Sequence, residues 1–333
     1  MKFMVKGVLN LVFACALTGL VFAQSPGKPV EIVPPKGYKP LAAANSVPLQ
    51  TMLATAVAET LETFRKAGFK DGEIAATLID LHDPESVKMA SIRGNERIYP
   101  ASVVKLFYMA ALERQLDDGK VTMTPELARG LNDMIVVSSN EATQYILDVV
   151  TGTSSGAELP PKEFDIWQAK RNRVNRYFAS MGYTNINANQ KTFCEDAYGI
   201  EQQSRNYKSE NRNALTTDAT ARLLAEIVTG RMANADSTKK MLDLLKRDPF
   251  AATNDTDDQS HGFSGKALFD KKMTDARLWS KAGWTSKTRH DAAYIETANG
   301  QKFVIVIFTE NHANEREFIP AVVGKLIDEL GRK

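Results

Sequence analysis

One segment of the chain, residues 102–116, is apolar on nearly every face of the helix that its sequence predicts. Its apolar positions are Val103, Val104, Leu106, Phe107, Met109, Ala110, Ala111 and Leu112. A helix that is apolar all round is usually buried at the centre of its domain. The fold of this chain must therefore supply elements that cover every side of this helix.

The rest of the sequence predicts strands near both chain ends and helices in the middle. Turn residues and strand-forming residues predict strands at 73–80, 86–93, 279–283, 292–297 and 302–309, and the last two are joined by Asn299 and Gly300. Apolar residues at helical spacing predict helices at 49–67, 125–135, 141–150, 163–181, 216–228, 238–246 and 315–330. Residues 187–214 show no clear period and predict a long loop.

This order of elements favours an α/β (α+β) fold. The simplest arrangement joins both chain ends in one antiparallel sheet flanked by helices, with the middle inserted as an all-helical lobe. We therefore expect a catalytic domain at residues 49–331. Its α/β lobe would contain residues 49–98 and 216–331, and its helical lobe residues 99–215. A cleft between the lobes is the natural place for a site.

The first 48 residues have a different character. Two lysines precede an apolar run from Leu9 to Phe22 that ends at Ala23, which predicts a cleavable signal peptide at residues 1–23 and a periplasmic or secreted protein. The run is short for a membrane span, so no stable anchor is expected after cleavage. A lipoprotein signal at Cys15 is the alternative. Residues 24–48, rich in proline and small residues, predict an exposed tether.

Composition and charge exclude several functions. The chain has 42 basic and 40 acidic residues, so its net charge of +2 gives no electrostatic reason for a nucleic-acid partner. The four histidines lie far apart and no Cys-x-x-Cys pair occurs, so we expect no metal and no other cofactor. After signal cleavage Cys194 is the only cysteine, and flanking Glu195 and Asp196 oppose a reactive thiolate. We expect a partly buried, unreactive Cys194 and a monomeric protein.

Ser102 and Lys105 form a Ser-x-x-Lys motif at the start of the apolar helix. A spacing of three places both side chains on one helical face. Burial lowers the pKa of a lysine, and a neutral amine can take the proton of a serine hydroxyl. The alternative is a capping serine beside a lysine whose ammonium reaches solvent. Ser-x-x-Lys also occurs elsewhere in the chain. The catalytic interpretation of this copy therefore depends on its position at the start of the buried helix.

Two further motifs follow along the chain. Ser138, Ser139 and Asn140 fall in the break between two predicted helices, where they either project into a cleft or cap the second helix. Lys281 and Gly283 lie on a predicted strand. A glycine there lets a substrate backbone approach the edge of the strand. The lysine points to the same face and can bind a carboxylate.

The three motifs, in this order and in these elements, resemble the class A β-lactamase and penicillin-binding protein superfamily, whose signature is Ser-x-x-Lys, Ser-Asp-Asn and Lys-Thr-Gly. The likeness runs over roughly residues 49–331 and implies a β-lactamase-like fold. This chain departs from the signature with Ser-Ser-Asn and Lys-Ala-Gly. Ser102 and Ser138 are only 36 positions apart, which is short for class A enzymes and implies a more open site.

The resemblance also implies roles for these residues. Ser102 Oγ attacks a carbonyl and forms an acyl-enzyme, and Lys105 helps to deprotonate it. Ser138 passes a proton to the leaving nitrogen, and Asn140 holds the substrate amide. Lys281 binds the substrate carboxylate and supports Ser138 electrostatically, and Gly283 shapes the strand edge. The oxyanion hole would consist of the backbone N–H groups of Ser102 and Trp284.

The glutamate that deacylates class A enzymes has no certain equivalent here. Counting back from Thr216 points to Glu201, although Arg205 stands where an asparagine is expected. Counting forward from Gly182 points to Glu195, and the absence of any equivalent is the third possibility. A basic residue that helps to bind the carboxylate is implied near Arg289 or His290, unless those residues form only a turn.

Three functions remain open from the sequence. The first is a β-lactamase that hydrolyses β-lactam rings through a Ser102 acyl-enzyme. The second is a cell-wall D-alanyl-D-alanine peptidase or transpeptidase acting on peptidoglycan-like peptides. The third is a penicillin-binding sensor that acylates without turnover, or a related esterase or amidase. The size of the chain favours the first function. A competent deacylating glutamate would also favour the first, and its absence would favour the second or the third.

Overall fold

The computed structural model describes residues 31–70 and 72–332, so the predicted signal peptide lies outside the described residues. Their strands form one sheet in the order β1-β3-β2-β7-β6-β5-β4. The strands are Ala44–Asn45 (β1), Ile74–Asp80 (β2), Lys88–Ile92 (β3), Lys246–Arg247 (β4), Arg277–Trp284 (β5), Arg289–Glu296 (β6) and Lys302–Thr309 (β7). Neighbouring strands are antiparallel except β1 and β3, which confirms the sheet built from both chain ends.

Helices cover the sheet and fill the middle of the chain. They are Val47–Thr63 (α1), Lys105–Asp117 (α2), Pro125–Ile135 (α3), Asn140–Thr151 (α4), Pro161–Arg171 (α5), Arg173–Ser180 (α6), Ile200–Arg205 (α7), Thr217–Val228 (α8), Ala235–Leu245 (α9), Ser264–Asp270 (α10) and Phe318–Gly331 (α11). Helices α1, α10 and α11 pack together, and α8 packs on β2, β6 and β7. Within the described ranges, no helix is long and apolar enough to cross a bilayer.

The sheet is buried on both faces, as its sequence pattern shows. In β7, Val304, Val306 and Phe308 belong to one apolar core, which also contains α2 and α8. The alternate residues Phe303, Ile305 and Ile307 belong to a second core with α1 and α11. Successive side chains of a strand point to opposite faces, so one strand serves both cores.

Helix α2 lies at the centre of the first core, as its sequence predicts. The side chains from Leu106 to Leu112 are at most 1% exposed. One detail differs from the sequence prediction. The segment Ala101–Val104 is a 3₁₀ turn, and the α-helix begins only at Lys105. The nucleophile candidate therefore lies on the turn that leads into the buried helix.

Residues 31–48 lie on the domain rather than forming the exposed tether that the sequence predicts. Ile32 and Leu41 are 3% and 8% exposed. The hydroxyl of Tyr38 and the backbone N–H of Leu41 donate to the buried carboxylate of Glu226 at 2.8 and 2.9 Å. A buried carboxylate needs donors, and this segment supplies two of them. The proline-rich composition therefore concealed a segment that packs on the domain.

Other elements also differ from their predicted form. The predicted helix 163–181 is two helices, because the backbone leaves the α-helical region at Asn172. The predicted loop 187–214 contains the short helix α7. The strands β1 and β4 and the helix α10 were not predicted. The two strands have only two residues each, too few for a period to be visible.

Candidate functional site

Ser102 occupies a turn whose backbone is held under strain. The preceding residue, Ala101, has φ +45°, in the left-handed region that side chains other than glycine avoid. Such conformations cost of order 1–3 kcal/mol and persist only where the surroundings impose them. Ser102 is partly exposed, whereas Val103, Val104 and Lys105 are buried. The turn thus presents one hydroxyl at the surface of an otherwise buried helix.

The side chain of Lys105 joins the first two motifs. Its Nζ lies 3.0 Å from Ser102 Oγ, 3.1 Å from Ser138 Oγ and 3.0 Å from Asn140 Oδ1. It also donates to the backbone carbonyl of Ser138. Lys105 is fully buried and forms no ion pair with any described residue. Burial lowers the pKa of Lys105 to about 7.

The partners of Lys105 suit a neutral amine. A carbonyl and a carboxamide oxygen only accept hydrogen bonds, so Ser138 O and Asn140 Oδ1 take the two N–H groups of a neutral amine. The nitrogen lone pair is then free to accept from the hydroxyl of Ser102. This is the arrangement that a general base for the serine requires.

The middle motif divides capping and chemistry among its three residues. Ser139 is the N-cap of α4, since its Oγ accepts from the backbone N–H of Ala142 at 3.1 Å. Ser138 has φ +62°, a left-handed conformation. Because Ser139 performs the capping, Ser138 and Asn140 can both contact Lys105. The sequence left open whether these residues cap the helix or project into a cleft. In the structure Ser139 caps the helix, and Ser138 and Asn140 project toward Lys105.

Lys281 approaches Ser138 from the sheet. Its Nζ lies 2.9 Å from Ser138 Oγ and 2.7 Å from the carbonyl of Ala282, and it also donates to Gln259 Oε1. The side chain is fully buried. Burial and the neighbouring Lys105 hold the pKa of Lys281 well below its usual value. The hydroxyl of Ser138 is thus hydrogen bonded to two lysines.

The sequence predicted direct contact between Lys281 and a substrate carboxylate. In the structure its amine contacts three protein oxygens, and one of them is Ser138 Oγ, the hydroxyl that the resemblance also assigns to it. Arg247 of β4 is also buried and donates to the carbonyls of Leu244, Lys246 and Ile135. Across the described ranges none of Lys105, Lys281 and Arg247 forms an ion pair. Arg247, whose pKa burial lowers only to about 10, stays protonated near neutral pH and gives the site a positive potential.

Gly283 is required because the turn that carries the nucleophile packs on β5. A Cβ added to Gly283 would lie 2.8 Å from Pro100 O, 2.8 Å from Ser102 N and 2.9 Å from Val103 N. The sequence assigned the free space at this glycine to a substrate backbone. The backbone that fills it belongs to the protein's own turn at residues 100–103.

The strand register directs the amide of Trp284 away from β6. Thr285 N donates to Thr288 O at 2.9 Å, and paired residues of an antiparallel ladder alternate between bonded and non-bonded. The pair Trp284 and Arg289 is therefore non-bonded. The Trp284 N–H therefore points to the side of β5 opposite β6. An oxyanion hole needs backbone donors that are not used within the sheet, and the N–H of Trp284 is one such donor.

Arg289 and His290 do not reach the cleft, contrary to the expectation that one of them binds a carboxylate. Arg289 is 2% exposed, pairs with Asp257 and donates to the carbonyl of Gly262 at 2.6 Å. His290 is fully buried. Its Nδ1 accepts from Thr309 N, so Nε2 carries the proton and donates to Tyr99 O at 2.9 Å. Burial lowers the pKa of His290 to about 4.

Neither candidate glutamate contacts Ser102. Glu201 is 1% exposed, and its two oxygens lie 2.7 and 2.8 Å from the guanidinium of Arg171. Burial opposes the charged form of Glu201, but this pairing prevails and its pKa is lowered. Glu195 is exposed and lines a cavity of 860 Å³ with Tyr99 and Arg212. Counting along the chain cannot resolve a loop of this length, which explains why the two counts disagreed.

Sequence reasoning missed two residues of the site. Cys194, expected to be partly buried, is exposed, and its Sγ lies 3.6 Å from Asn140 Nδ2. Gln259 contacts Lys281 and lies in a loop without any recognisable motif. Their positions depend on the packing of distant segments, so no local pattern marks them.

The sequence profile of a family described as "Beta-lactamase enzyme family" matches residues 56–330. No curated protein matches the chain. Among solved structures, a β-lactamase from Sphaerobacter thermophilus is similar with 21% identity and a TM-score of 0.60, covering 85% of this chain and 98% of that one.

Two further solved structures have the same architecture. PBP-A is 17% identical with a TM-score of 0.58, covering 89% of this chain and 100% of that one. A representative class A β-lactamase from Bacteroides cellulosilyticus is 15% identical with a TM-score of 0.59, covering 87% of this chain and 100% of that one. At such identities the likeness shows a common fold.

The close approach at Gly283 gives a stability prediction. Gly283→Ala forces the backbone of residues 100–103 away from β5, and overpacking of this kind costs about 1–3 kcal/mol. Gly156→Ala is the control, because a Cβ there meets no atom within 4 Å. We expect urea unfolding to show the loss of free energy only for Gly283→Ala. Equal stability of the two variants would contradict the close approach.

Proposed function

The chain belongs to the β-lactamase enzyme family, and we propose that it is a serine hydrolase that opens β-lactam rings through an acyl-enzyme on Ser102. The observation that carries this proposal is the 3.0 Å contact between Ser102 Oγ and the buried amine of Lys105. A nucleophile beside an amine whose pKa burial lowers to about 7, so that about half of it is neutral at pH 7, meets the requirement for serine acylation.

In the proposed acylation each residue of the cluster has a defined role. Neutral Lys105 takes the proton of Ser102 as Oγ bonds to the carbonyl carbon of the lactam. The oxygen of the tetrahedral intermediate accepts from the N–H groups of Ser102 and Trp284. When the C–N bond breaks, the Ser138 hydroxyl gives its proton to the leaving nitrogen. Lys105 or Lys281 then returns a proton to Ser138, since both nitrogens lie within 3.1 Å of its Oγ.

The positive potential of the site supports an anionic substrate. Lys281 and Arg247 are buried and lack an acidic partner in the described part of the chain. Most β-lactams and D-alanyl peptides carry a carboxylate next to the scissile amide. A carboxylate held there would compensate the buried cations and place the amide carbonyl against Ser102.

The second half of the reaction separates two candidate functions. Hydrolysis of the ester needs a base for water, yet no described carboxylate hydrogen bonds to Ser102, Lys105 or Ser138. This favours, as a second candidate, a D-alanyl peptidase or penicillin-binding protein whose acyl-enzyme with penicillin persists. PBP-A is a structural relative, and a PBP-A mutant was solved as an acyl-enzyme complex with penicillin G.

The first prediction concerns the nucleophile and the fate of its ester. Wild-type protein incubated with penicillin G should gain the mass of the drug, and Ser102→Ala should gain none. A parallel assay with a chromogenic cephalosporin distinguishes the candidates: rapid turnover with little adduct identifies a β-lactamase, and a stable adduct identifies the second candidate. Labelling that survives Ser102→Ala would refute the assigned nucleophile.

The pH dependence of acylation should follow Lys105. Because burial places its pKa at about 7, the amine is neutral above that pH and protonated below it. We expect the rate of adduct formation, followed by intact mass, to fall about tenfold per pH unit below about pH 6, to level off above about pH 7, and to fall again at the more alkaline pH where Lys281 loses its proton. A rate that stays constant from about pH 5 to about pH 8 would contradict Lys105 as the base.

Cys194 offers a gain-of-function test for deacylation. Its Sγ lies 3.6 Å from Asn140 Nδ2, so Cys194→Glu places a carboxylate next to Asn140, to which no described carboxylate is hydrogen bonded. A general base contributes about 10²–10⁴-fold, so hydrolysis of the penicillin adduct should accelerate by at least tenfold. Cys194→Gln has the same size without a base and serves as the control. Equal deacylation rates in both variants would show that a missing base does not limit turnover.

A further inference from the structure

The carboxamide of Gln259 connects the sheet side of the site to the helical side. Gln259 lies in the loop between β4 and α10 and is 6% exposed. Its Oε1 accepts from Lys281 Nζ and from Ala282 N, the latter at 3.2 Å. Its Nε2 donates to the carbonyls of Ile135 at 3.2 Å and Val136 at 2.8 Å.

This arrangement uses the full hydrogen-bonding capacity of a primary amide. The oxygen has two lone pairs and meets two donors, and the nitrogen has two hydrogens and meets two carbonyls. A flipped amide would oppose donor to donor and acceptor to acceptor. The orientation is therefore fixed by its surroundings, and so is the position of each group that it binds.

The two ends of Gln259 act on the same hydroxyl. On one side it holds Lys281, whose Nζ is 2.9 Å from Ser138 Oγ. On the other side it holds the carbonyls of Ile135 and Val136, and Val136 lies two residues before the strained backbone of Ser138. Arg247 secures the same stretch through Ile135 O at 3.1 Å. Among the described residues, only Gln259 hydrogen bonds to both Lys281 and the segment 135–136.

We propose that Gln259 is a positioning residue for acyl transfer: it sets the contact between Lys281 and Ser138 through which the proton for the leaving nitrogen is supplied. The expected effect of Gln259 on acylation rests on the proposed function, whereas its positioning of Lys281 rests only on the hydrogen bonds described above. Gln259 itself touches neither the nucleophile nor a reacting atom, and it acts only through Lys281 and residues 135–136.

The neutrality of Gln259 also matters for the charge of the site. The charged groups around Lys281 are Lys105 of α2, Arg247 of β4 and Asp291 of β6. Asp291 is fully buried, and its Oδ2 accepts from Ser264 N. A carboxamide holds Lys281 without neutralising it. A carboxylate at position 259 would hold the proton on Lys281 and cancel part of the potential that attracts an anionic substrate.

Gln259→Leu tests the positioning role. This change keeps the approximate size of the side chain and removes all four hydrogen bonds. Small displacements of reacting groups cost up to about 10²-fold in rate, so we expect penicillin adduct formation to slow by about tenfold to hundredfold. Gln115→Leu is the matched control, because Gln115 is equally buried but bonds only to Val150 O. It should acylate at the wild-type rate.

Gln259→Glu distinguishes positioning from a general effect on folding. A carboxylate at this point holds the proton on Lys281, so the alkaline limb of the acylation profile should move to higher pH. A residue that only stabilised the fold would leave that limb unchanged. Acylation by Gln259→Leu at the wild-type rate, or an unmoved alkaline limb in Gln259→Glu, would overturn the inference.

A structural measurement separates this inference from the proposed function. In a crystal structure of Gln259→Leu, or of Gln259→Ala if the first variant does not fold, we expect Lys281 Nζ to move out of hydrogen-bonding distance of Ser138 Oγ. Retention of the wild-type distance would refute the inference. If the wild-type protein is not acylated at all, the proposed function fails, and this distance still decides the role of Gln259.

Discussion

A buried lysine amine without a carboxylate partner, that of Lys105, is the interaction on which the site depends. Burying an unpaired charge costs several kcal/mol, so the amine is stable there largely in its neutral form and only with its hydrogen bonds satisfied. The partners come from the nucleophile turn and from the break between α3 and α4. The lysine therefore assembles the site and supplies its base at the same time.

The turn that carries Ser102 is supported from behind by residues that never meet a substrate. Gly283 allows the backbone of residues 100–103 to pack on β5. His290 is neutral, and its Nε2–H binds Tyr99 O just before the turn. Together they offset the strain at Ala101, whose left-handed backbone presents the serine. The strands β5 and β6 thus determine where the nucleophile stands, although the nucleophile lies on a helical segment.

Much of this arrangement could be read from the sequence, and the reasons are local. The apolar surface of α2, the Asn299–Gly300 hairpin and the three short motifs are patterns within a few residues. They predicted the sheet from both chain ends and grouped Ser102, Lys105, Ser138, Asn140 and Lys281, which the structure brings together. The expected exposure of residues 31–48 was wrong because it depended on tertiary packing. For Arg289 or His290 the sequence left a carboxylate contact and a turn open, and the structure buries both side chains at the start of β6.

The loop 187–214 marks the limit of sequence reasoning. Because the loop is long, the sequence left both Glu195 and Glu201 as candidates for the deacylating glutamate. In the structure Glu201 forms an ion pair with Arg171, and the loop residue that contacts Asn140 is Cys194. Gln259 is similar, since a single amide in a loop has no signature until its partners are known. Residues that support a site through long-range contacts are therefore the ones that a single sequence conceals.

We propose that a carbonyl compound acylates Ser102 between Lys105 and Lys281. A crystal structure of the wild-type protein soaked with penicillin G can show this acylation. We expect an ester on Ser102 Oγ, with its carbonyl oxygen between the N–H groups of Ser102 and Trp284 and the drug carboxylate on the side of Lys281. A drug bound without a bond to Ser102, or an ester on another residue, would contradict it.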